Sequence, residues 1–566
     1  MTDLVLGPML RHVGERHATI WVEVDQPAEV EVLGHAARTF QVGGHHYALV
    51  LVEGLAPGST REYGVTANGH GVWPPPGAGL RPSVIRTMAP RASSGQRLRL
   101  AFGSCRLAPP HEPDARRGRS ALPRRSSRVG RGVDALRAMA LRLAASAHAD
   151  WPDLLLLLGD QIYADGVPPS TRSFIRGRRD ASRPPGMQVA DFEEFAHLYR
   201  ESWGEPAVRW LLSTVPTAMI FDDHEICNNW NISAAWIAHM RAQPWWDECI
   251  TSGLASYWLY QHVGNLSPEE LAADVVYREV LEAADATSVL REHARRTHQG
   301  NGGWRSSYHR DLGRTRLVAI DSRCARVLEP GRRAMLDEDE WRWVEEHATG
   351  GFDHLLVATS LPLVLPHGAH HLEAWSEALG DGAWGGLAMR AAERLRRAIG
   401  LEHWAAFHRS FNRLGTLLEA VADGRRGEAP AAIALLSGDV HYAYLAEMLQ
   451  RRPAASPIYQ AVCSPFRNQL AGRLRLATRL AFKAPVAMVA RGLARLAGVE
   501  PDAVAWRILG GPSFVNQVGT LELEGRAARL RIERAVPGAG GGPPRLEPLL
   551  EYSVTSGTAV PATVES

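Results

Sequence analysis

The chain's 566 residues are too many for one ordinary hydrophobic core, so two or more domains are expected. Apolar residues make up 45% and charged residues 22%, a globular composition, and a net charge of +2 marks neither nucleic acid nor membrane as the partner of the whole surface. Five scattered cysteines (Cys105, Cys227, Cys249, Cys324, Cys463) form no disulfide framework and suit a reducing compartment.

The opening "MTDLVLGPMLRHVGERH" has no basic start and no sustained apolar run. No stretch approaches the roughly 18 apolar residues of a spanning helix. The expectation is a cytoplasmic protein; a chain that had lost its leader would be an exported one.

Residues 1–95 read as all-β. "HATIWVEVDQPAEVEVLG" and "HHYALVLVEGLAPGSTREYGVTANG" alternate apolar and polar residues between Gly, Pro and Asn turns. "LVEGLAPGSTREYGVTAN" resembles the end of a fibronectin type III domain, which makes Tyr63 a packed corner residue. The expected unit is a small β-sandwich ending near "RTMAPRASSGQ".

From residue 96 strands alternate with helices. "LRLAFGSC" is a strand, "VDALRAMALRLAASAHA" a helix, and "PDLLLLLGD" a short apolar strand of the kind buried on both faces. "VPTAMIFDD", "TRLVAIDSR", "FDHLLVATSLPL" and "AAIALLSGDVH" follow. Open α/β sheets place their sites at the carboxyl ends of strands, so these termini should converge. Residues 515–554 return to strand character and are expected to complete a sheet of the second domain, 96–556.

Four strand ends carry metal-ligand chemistry: Cys105 in "FGSCR", Asp160 and Tyr163 in "GDQIY", Asp222, Asp223 and His224 in "FDDHE", and Asp439 and His441 in "SGDVH". A lone Gly-Asp after a strand is usually a turn. Four such ends bearing carboxylates, imidazoles, a phenol and a thiol suit a site for two or more metal ions. The glycine before Asp160 keeps side chains away from that carboxylate, so it can bridge two cations.

In this order behind a fibronectin-like domain, "FGSCR", "GDQIYADG", "FDDHEICNNW" and "SGDVHYAYL" resemble the alkaline phosphatase D, or PhoD-like, phosphatases of the calcineurin-like metallophosphoesterase superfamily. The resemblance implies an α/β fold, a four-layer α/β/β/α sandwich, with iron (Fe3+) and calcium as cofactors; other divalent cations also suit the carboxylates. It implies Asp160 as the bridging ligand, Tyr163 and Cys105 as iron ligands, and Asp223, Asp439 and His441 as further metal ligands. His224 then faces the phosphoryl group, oriented by a carboxylate such as Asp222. Asn229, with Asn228 beside it, is placed near a cation. Arg106 either meets the substrate phosphate or caps its loop. The histidine the superfamily carries after "VATSLPL" is absent: Thr359 and Ser360 stand there, with His367 and His370 as substitutes able to reach back.

The implied reaction is hydrolysis of a phosphodiester or phosphomonoester, small or polymeric, by a metal-bound hydroxide attacking phosphorus in line. A cysteine-phosphatase reading of Cys105 fails because position 111 is His111 rather than the arginine its loop needs. Ser104 lacks the G-x-S-x-G elbow of a serine hydrolase. The alternative of another class is a catalytically inactive PhoD-like binding protein.

Two arginine-rich loops, 116–131 and 172–183, leave the strand-end face, as a positive rim or as solvated loops. The tryptophans from Trp230 to Trp258 (Trp236, Trp245 and Trp246 among them) read as core of a helical insertion or as a pocket wall. Residues 473–498 are basic and amphipathic, which fits a cover over the core or peripheral contact with a membrane.

Overall fold

Alternating apolar residues give the N-terminal strands one buried face each. The computed structural model describes residues 2–75, 77, 79, 81–91, 97–108, 132–450, 455–555 and 558–560. Its first strands form two antiparallel four-stranded sheets, ordered Leu4–Val13, Ala18–Val24, His45–Val52, Phe40–Val42 and His35–Arg38, Glu29–Val32, Val65–Ala67, His70–Trp73. Leu10, Ile20, Val22 and Val50 of one sheet share a core with Val30, Val65 and Ala67 of the other. Tyr63 ends the strand Thr60–Tyr63, which pairs with Ser83–Arg86 outside those two sheets; it is buried, and its hydroxyl donates to the carbonyl of Ser213, 2.5 Å away on the helix Pro206–Thr214. That bond ties the sandwich to the helices behind the next sheet.

The next sheet has seven strands, ordered Thr217–Met219, Leu154–Leu157, Arg97–Gly103, Gln517–Glu524, Ala527–Val536, Arg545–Ser553, Thr558–Val560. Its first three strands are parallel, and Arg97–Gly103 pairs antiparallel with Gln517–Glu524, so the C-terminal hairpins complete it. A second seven-stranded sheet runs Tyr308–Leu312, Thr315–Ile320, His354–Thr359, Ala432–Ser437, Ile458–Val462, Ala443–Leu449, Ala505–Ser513.

The leucine run explains itself once both faces are seen. Leu155 and Leu157 join a core with Leu136, Met139 and Leu211 of two helices, while Leu154, Leu156 and Leu158 pack against Leu317, Leu356 and Leu436 of the second sheet. Alternate side chains therefore go to opposite apolar layers, and no position on the strand has a use for a polar residue. On its far side the second sheet packs Val318, Val357 and Leu435 against Trp341, Phe411 and Leu418 of the helices Glu338–His347 and His408–Ala422.

Trp230, Trp236, Trp246 and Trp258 are buried in one cluster with the helical insertion, so the tryptophan group is core. Loop 116–131 lies outside the described residues. In the other arginine-rich stretch, Arg178 is paired with Asp191 at 2.9 Å and Arg179 with Glu194 at 2.7 Å, which leaves less positive rim than the sequence offers. The segment 473–498 covers the core only in part, through Phe482, whose ring meets Tyr442 and Tyr444 edge-on. Its first helix, Gly472–Ala481, buries no residue, and its second, Ala484–Leu496, buries only Ala490 and Ala494.

Candidate metal centre

Each strand-end motif turns sharply as its strand stops. Eight non-glycine residues among those described have a left-handed backbone, and five belong to these loops: Cys105 (φ +58°), Asp160 (+53°), Asn229 (+59°), Asp439 (+60°) and His441 (+59°). Such strain gathers where side chains must be aimed rather than where the chain merely turns. Gly159 reaches φ +102°, and a Cβ there would lie 2.5 Å from the Asp222 Cβ. The glycine that precedes Asp160 is therefore required by both its backbone and its neighbour.

The turns converge. Cys105, Asp160 and His441 bring one ligand atom each within 4.8 Å of one another, as do Asp160, Asp223 and His224, and as do Asp160, Asp222, Asp223 and Asp439. Asp160 belongs to all three groups, and the Tyr163 hydroxyl donates to its Oδ2 at 3.0 Å. Glu225 ties the loops together from behind. Its carboxylate accepts from the backbone N–H of Asp160 (3.2 Å), Gln161 (2.7 Å) and Asp222 (3.0 Å). Burial pushes its carboxyl up to about 7, against the pull of those donors.

The electrostatics mark a place for cations. Asp160 Oδ1 and Asp222 Oδ2 are buried without a hydrogen-bond partner, an expensive state for carboxylates unless a cation meets them, while Asp223 Oδ1 faces the Arg323 guanidinium at 3.3 Å. Burial, with the neighbouring carboxylates adding to it, holds Asp160 and Asp222 well above the usual range. The Cys105 thiol is raised by burial and then by Asp160 and Asp439, so the apo protein keeps it protonated. A thiol so placed is a poor free nucleophile and a suitable ligand for an ion that would ionise it. Hard carboxylates beside a thiol, a phenol and imidazoles are a donor set that fits iron with a second, harder cation.

Three sequence-read residues serve otherwise than expected. Arg106 is fully buried and turned from the carboxylates: Nη2 lies 2.9 Å from Asp134, whose carboxylate caps the helix Ala135–Ala145, and Nη1 donates to the Ser202 carbonyl at 2.5 Å. It locks a helix start beneath the loop rather than meeting substrate. His224 is oriented by Asp165, whose Oδ1 lies 2.7 Å from its Nδ1, and not by Asp222. Burial alone would depress this imidazole, yet Asp165, Asp223 and Asp160 raise it well above its ordinary value. Asn229 acts through its backbone N–H, which donates to Asp223 Oδ2 at 2.5 Å, while its amide side chain donates to the Arg397 carbonyl at 3.4 Å. Asn228 likewise gives its backbone N–H to Asp165 Oδ2 at 3.0 Å.

Other residues come from outside the motifs. Arg323, buried at the end of the strand Thr315–Ile320, reaches Asp222 (2.6 Å), Glu402 (2.5 Å), Asp223 (3.3 Å) and Asp439 (3.6 Å). His403 Nε2 approaches Asp439 Oδ2 at 3.3 Å, with Glu373 at 2.6 Å from its other nitrogen. Burial would raise Asp439, but His403, Arg323 and His441 hold it well below the usual carboxylate range. His403 is thus the imidazole near the site that "VATSLPL" lacks. His367 and His370 do not reach back: one stacks on Trp506 and the other meets Asp502 at 3.1 Å. Ser360 supports the site differently, donating to Asp222 Oδ1 at 3.1 Å.

A cluster of carboxylates, imidazoles and a thiol at the ends of sheet strands is a candidate metal site, placed where open α/β sheets hold their sites. Residues 135–280, which hold "GDQIY" and "FDDHE", match the sequence model described as PhoD-like phosphatase. Residues 1–85 match a domain of unknown function, DUF7800. The solved structure titled "Structure of PhoD" superposes with a TM-score of 0.60 at 12% identity, covering 99% of this chain and 93% of that one. A maltogenic amylase from S. marinus, at 9% identity over 93% of this chain and 76% of that one, has a TM-score of 0.15 and carries no argument. No curated protein matches the sequence. The match over residues 135–280 supports phosphoesterase activity in general, while the superposition at 12% identity shows the fold alone.

Proposed function

We propose that the protein hydrolyses phosphate esters, monoesters or diesters, with water attacking phosphorus in line at the centre around Asp160. The observation that carries the reading is the shared position of Asp160 in three ligand groups, with Asp160 Oδ1 and Asp222 Oδ2 buried and without a hydrogen-bond partner. Cys105, Tyr163, Asp160 and His441 would hold ferric iron, and Asp160, Asp222, Asp223 and Asp439 calcium or another divalent cation. When bound, these ions screen the charge of the phosphoryl oxygens and bring the pKa of a water near neutrality.

The protein's own groups supply orientation and a proton. His224, with Nδ1 held by Asp165, keeps Nε2 for the phosphoryl group or the leaving oxygen. Arg323 holds the carboxylates in register from behind, and Glu225 fixes the two loops that carry Asp160 and Asp222. The four-layer α/β/β/α reading is supported by the three apolar layers, one between the two large sheets and one behind each. The paired small sheets support a fibronectin-like sandwich in front. The intact ligand set speaks against an inactive binding protein.

The test is hydrolysis of a chromogenic phosphomonoester and the matching diester by purified protein, with iron and calcium content read on the same sample. Cys105→Ala and Asp160→Asn should lose metal and activity together. Wild type that binds metal but cleaves neither ester would refute the reading.

A further inference from the structure

The segment 473–498 has a composition that the proposed chemistry does not use. Between residues 472 and 499 the chain carries Arg473, Arg475, Arg479, Lys483, Arg491 and Arg495 and no acidic residue. The structure folds it into two helices, Gly472–Ala481 and Ala484–Leu496, joined at Phe482 and Lys483. The pair lies on the helix His367–Gly380. Gly368 makes the close approach there: a Cβ at this position would stand 2.8 Å from the Ala481 carbonyl oxygen and 3.1 Å from a Val486 methyl. Phe482 on Tyr442 and Tyr444, Arg479 over Phe514 and Arg491 on His371 anchor that edge, and the exposed apolar side chains lie away from it.

That outward face is apolar to a degree no solvated helix requires. Leu476 is 61% exposed, Met488 74% and Leu496 75%, with Leu474, Leu480 and Val489 beside them in the chain. The patch continues onto the helix Gly385–Ile399, because the Trp384 indole N–H donates to the Leu496 carbonyl at 3.3 Å. Trp384 is itself exposed, and so is Leu387 three residues on. Isolated exposed leucines need no explanation, but so many exposed large apolar side chains on two adjoining helices mark an interaction surface.

We infer that this helix pair is an interfacial anchor that lies on an anionic lipid bilayer. Charge decides among the occupants. Two copies of a helix pair whose segment carries six basic and no acidic residues repel, which disfavours self-association through it. An anionic lipid surface attracts Arg473, Lys483 and Arg495, whose long stems let the charges stay at headgroup level while the neighbouring leucines enter the acyl boundary. Trp384 is of the residue type that settles at that interface. A fluid surface also accommodates side chains that project singly from a helix pair, without needing a complementary groove. Among the described residues no helix is long and apolar enough to cross a membrane, so the contact is with one leaflet.

The experiment is co-sedimentation of the full chain with phosphatidylcholine vesicles, with and without phosphatidylglycerol. Alongside wild type run Leu476→Ser/Met488→Ser/Leu496→Ser and Arg473→Gln/Arg495→Gln. Binding to the phosphatidylglycerol vesicles is expected to be at least about tenfold tighter than to phosphatidylcholine alone, and each variant should lose about tenfold. The melting temperature should not move, since the substituted side chains are exposed. Absence of binding to anionic vesicles overturns the inference, as does binding that survives the serine substitutions. Sedimentation velocity adds the last arm: a wild-type dimer that the serine variant splits would assign the face to a second copy. No arm depends on ester hydrolysis, so failure here and failure of the phosphatase reading are told apart.

Discussion

Asp165 Oδ1 stands 2.7 Å from Nδ1 of His224, and the same carboxylate accepts the backbone N–H of Asn228 through its other oxygen. The second aspartate of "GDQIYADG" is therefore the group that fixes the tautomer and angle of the imidazole. Asp165→Asn should lower kcat by about 10–100-fold, the usual cost of losing an orienting partner of this kind. The pH profile separates this from simple misfolding. Asp165 helps to raise the His224 pKa, so without its charge the imidazole loses its proton at lower pH. If His224 donates to the leaving group, the alkaline limb of kcat should move to lower pH in the variant. An unchanged limb would assign the proton to another group.

Arg323 is the one buried cation among Asp222, Asp223, Glu402 and Asp439 for which the described side chains show ion pairs on every side. Removing one partner of a buried ionic network leaves uncompensated charge, at a cost of about 3–5 kcal/mol. Arg323→Ala should therefore lower the melting temperature sharply in metal-free protein. Added divalent cation should recover part of the loss, since it neutralises the same carboxylates. A loss that cations leave untouched would mean that Arg323 serves packing alone.

The strand-end chemistry was legible because strand, turn and ligand are contiguous in sequence. A buried strand reads as an apolar run, and the residue after its glycine is displayed at the sheet's end whatever lies elsewhere. Arg323 and His403 were not legible. They enter from elements distant in sequence, and "AIDSR" and "LEHW" resemble any polar loop until the sheets are assembled. Arg106 misled because it follows Cys105. The left-handed turn at Cys105 aims the thiol into the site and sends the next side chain to Asp134. The basic hairpin showed its periodicity in the sequence, but only its place on the outer side of His367–Gly380 shows how many of its apolar side chains stay exposed.

Gly159 offers a direct test of the turn. Alanine there meets Asp222 Cβ at 2.5 Å and must also hold φ near +102°. Gly159→Ala should displace either Asp160 or Asp222 and lower bound metal and activity together. Gly177 provides the control, since it lies in the helix Pro169–Arg178 with nothing within 4 Å of an added Cβ. Equal metal content in the two variants would show that the turn tolerates a side chain.

Metal loading should be visible as proton release. Burial, Asp160 and Asp439 keep the Cys105 thiol protonated, and burial with Asp160 does the same for the Tyr163 phenol. Both protons must leave when these groups ligate iron. Titrating apo protein with ferric iron in weakly buffered solution should release fewer protons per ion from Cys105→Ser and from Tyr163→Phe than from wild type. Equal release from all three would exclude both groups from the first coordination sphere.

Acid should destabilise the protein through a buried histidine before ordinary exposed carboxylates are reached. His262 is fully buried, and burial, with Arg11 adding repulsion, lowers its pKa from 6.5 to about 3. The unfolded chain takes up a proton on this side chain below pH 6.5, and the folded chain does not until pH nears 3. The stability this gives is complete above the unfolded pKa and is lost as pH falls through the window between the two values. One such group contributes a slope of about 1.4 kcal/mol per pH unit, or about 2 kcal/mol by pH 5. His262→Gln removes the titration and keeps a polar side chain of similar reach. Its denaturant-derived stability relative to wild type should improve by about that amount between pH 7 and pH 5. Parallel pH dependences for the two proteins would show that the acid sensitivity of the fold lies elsewhere.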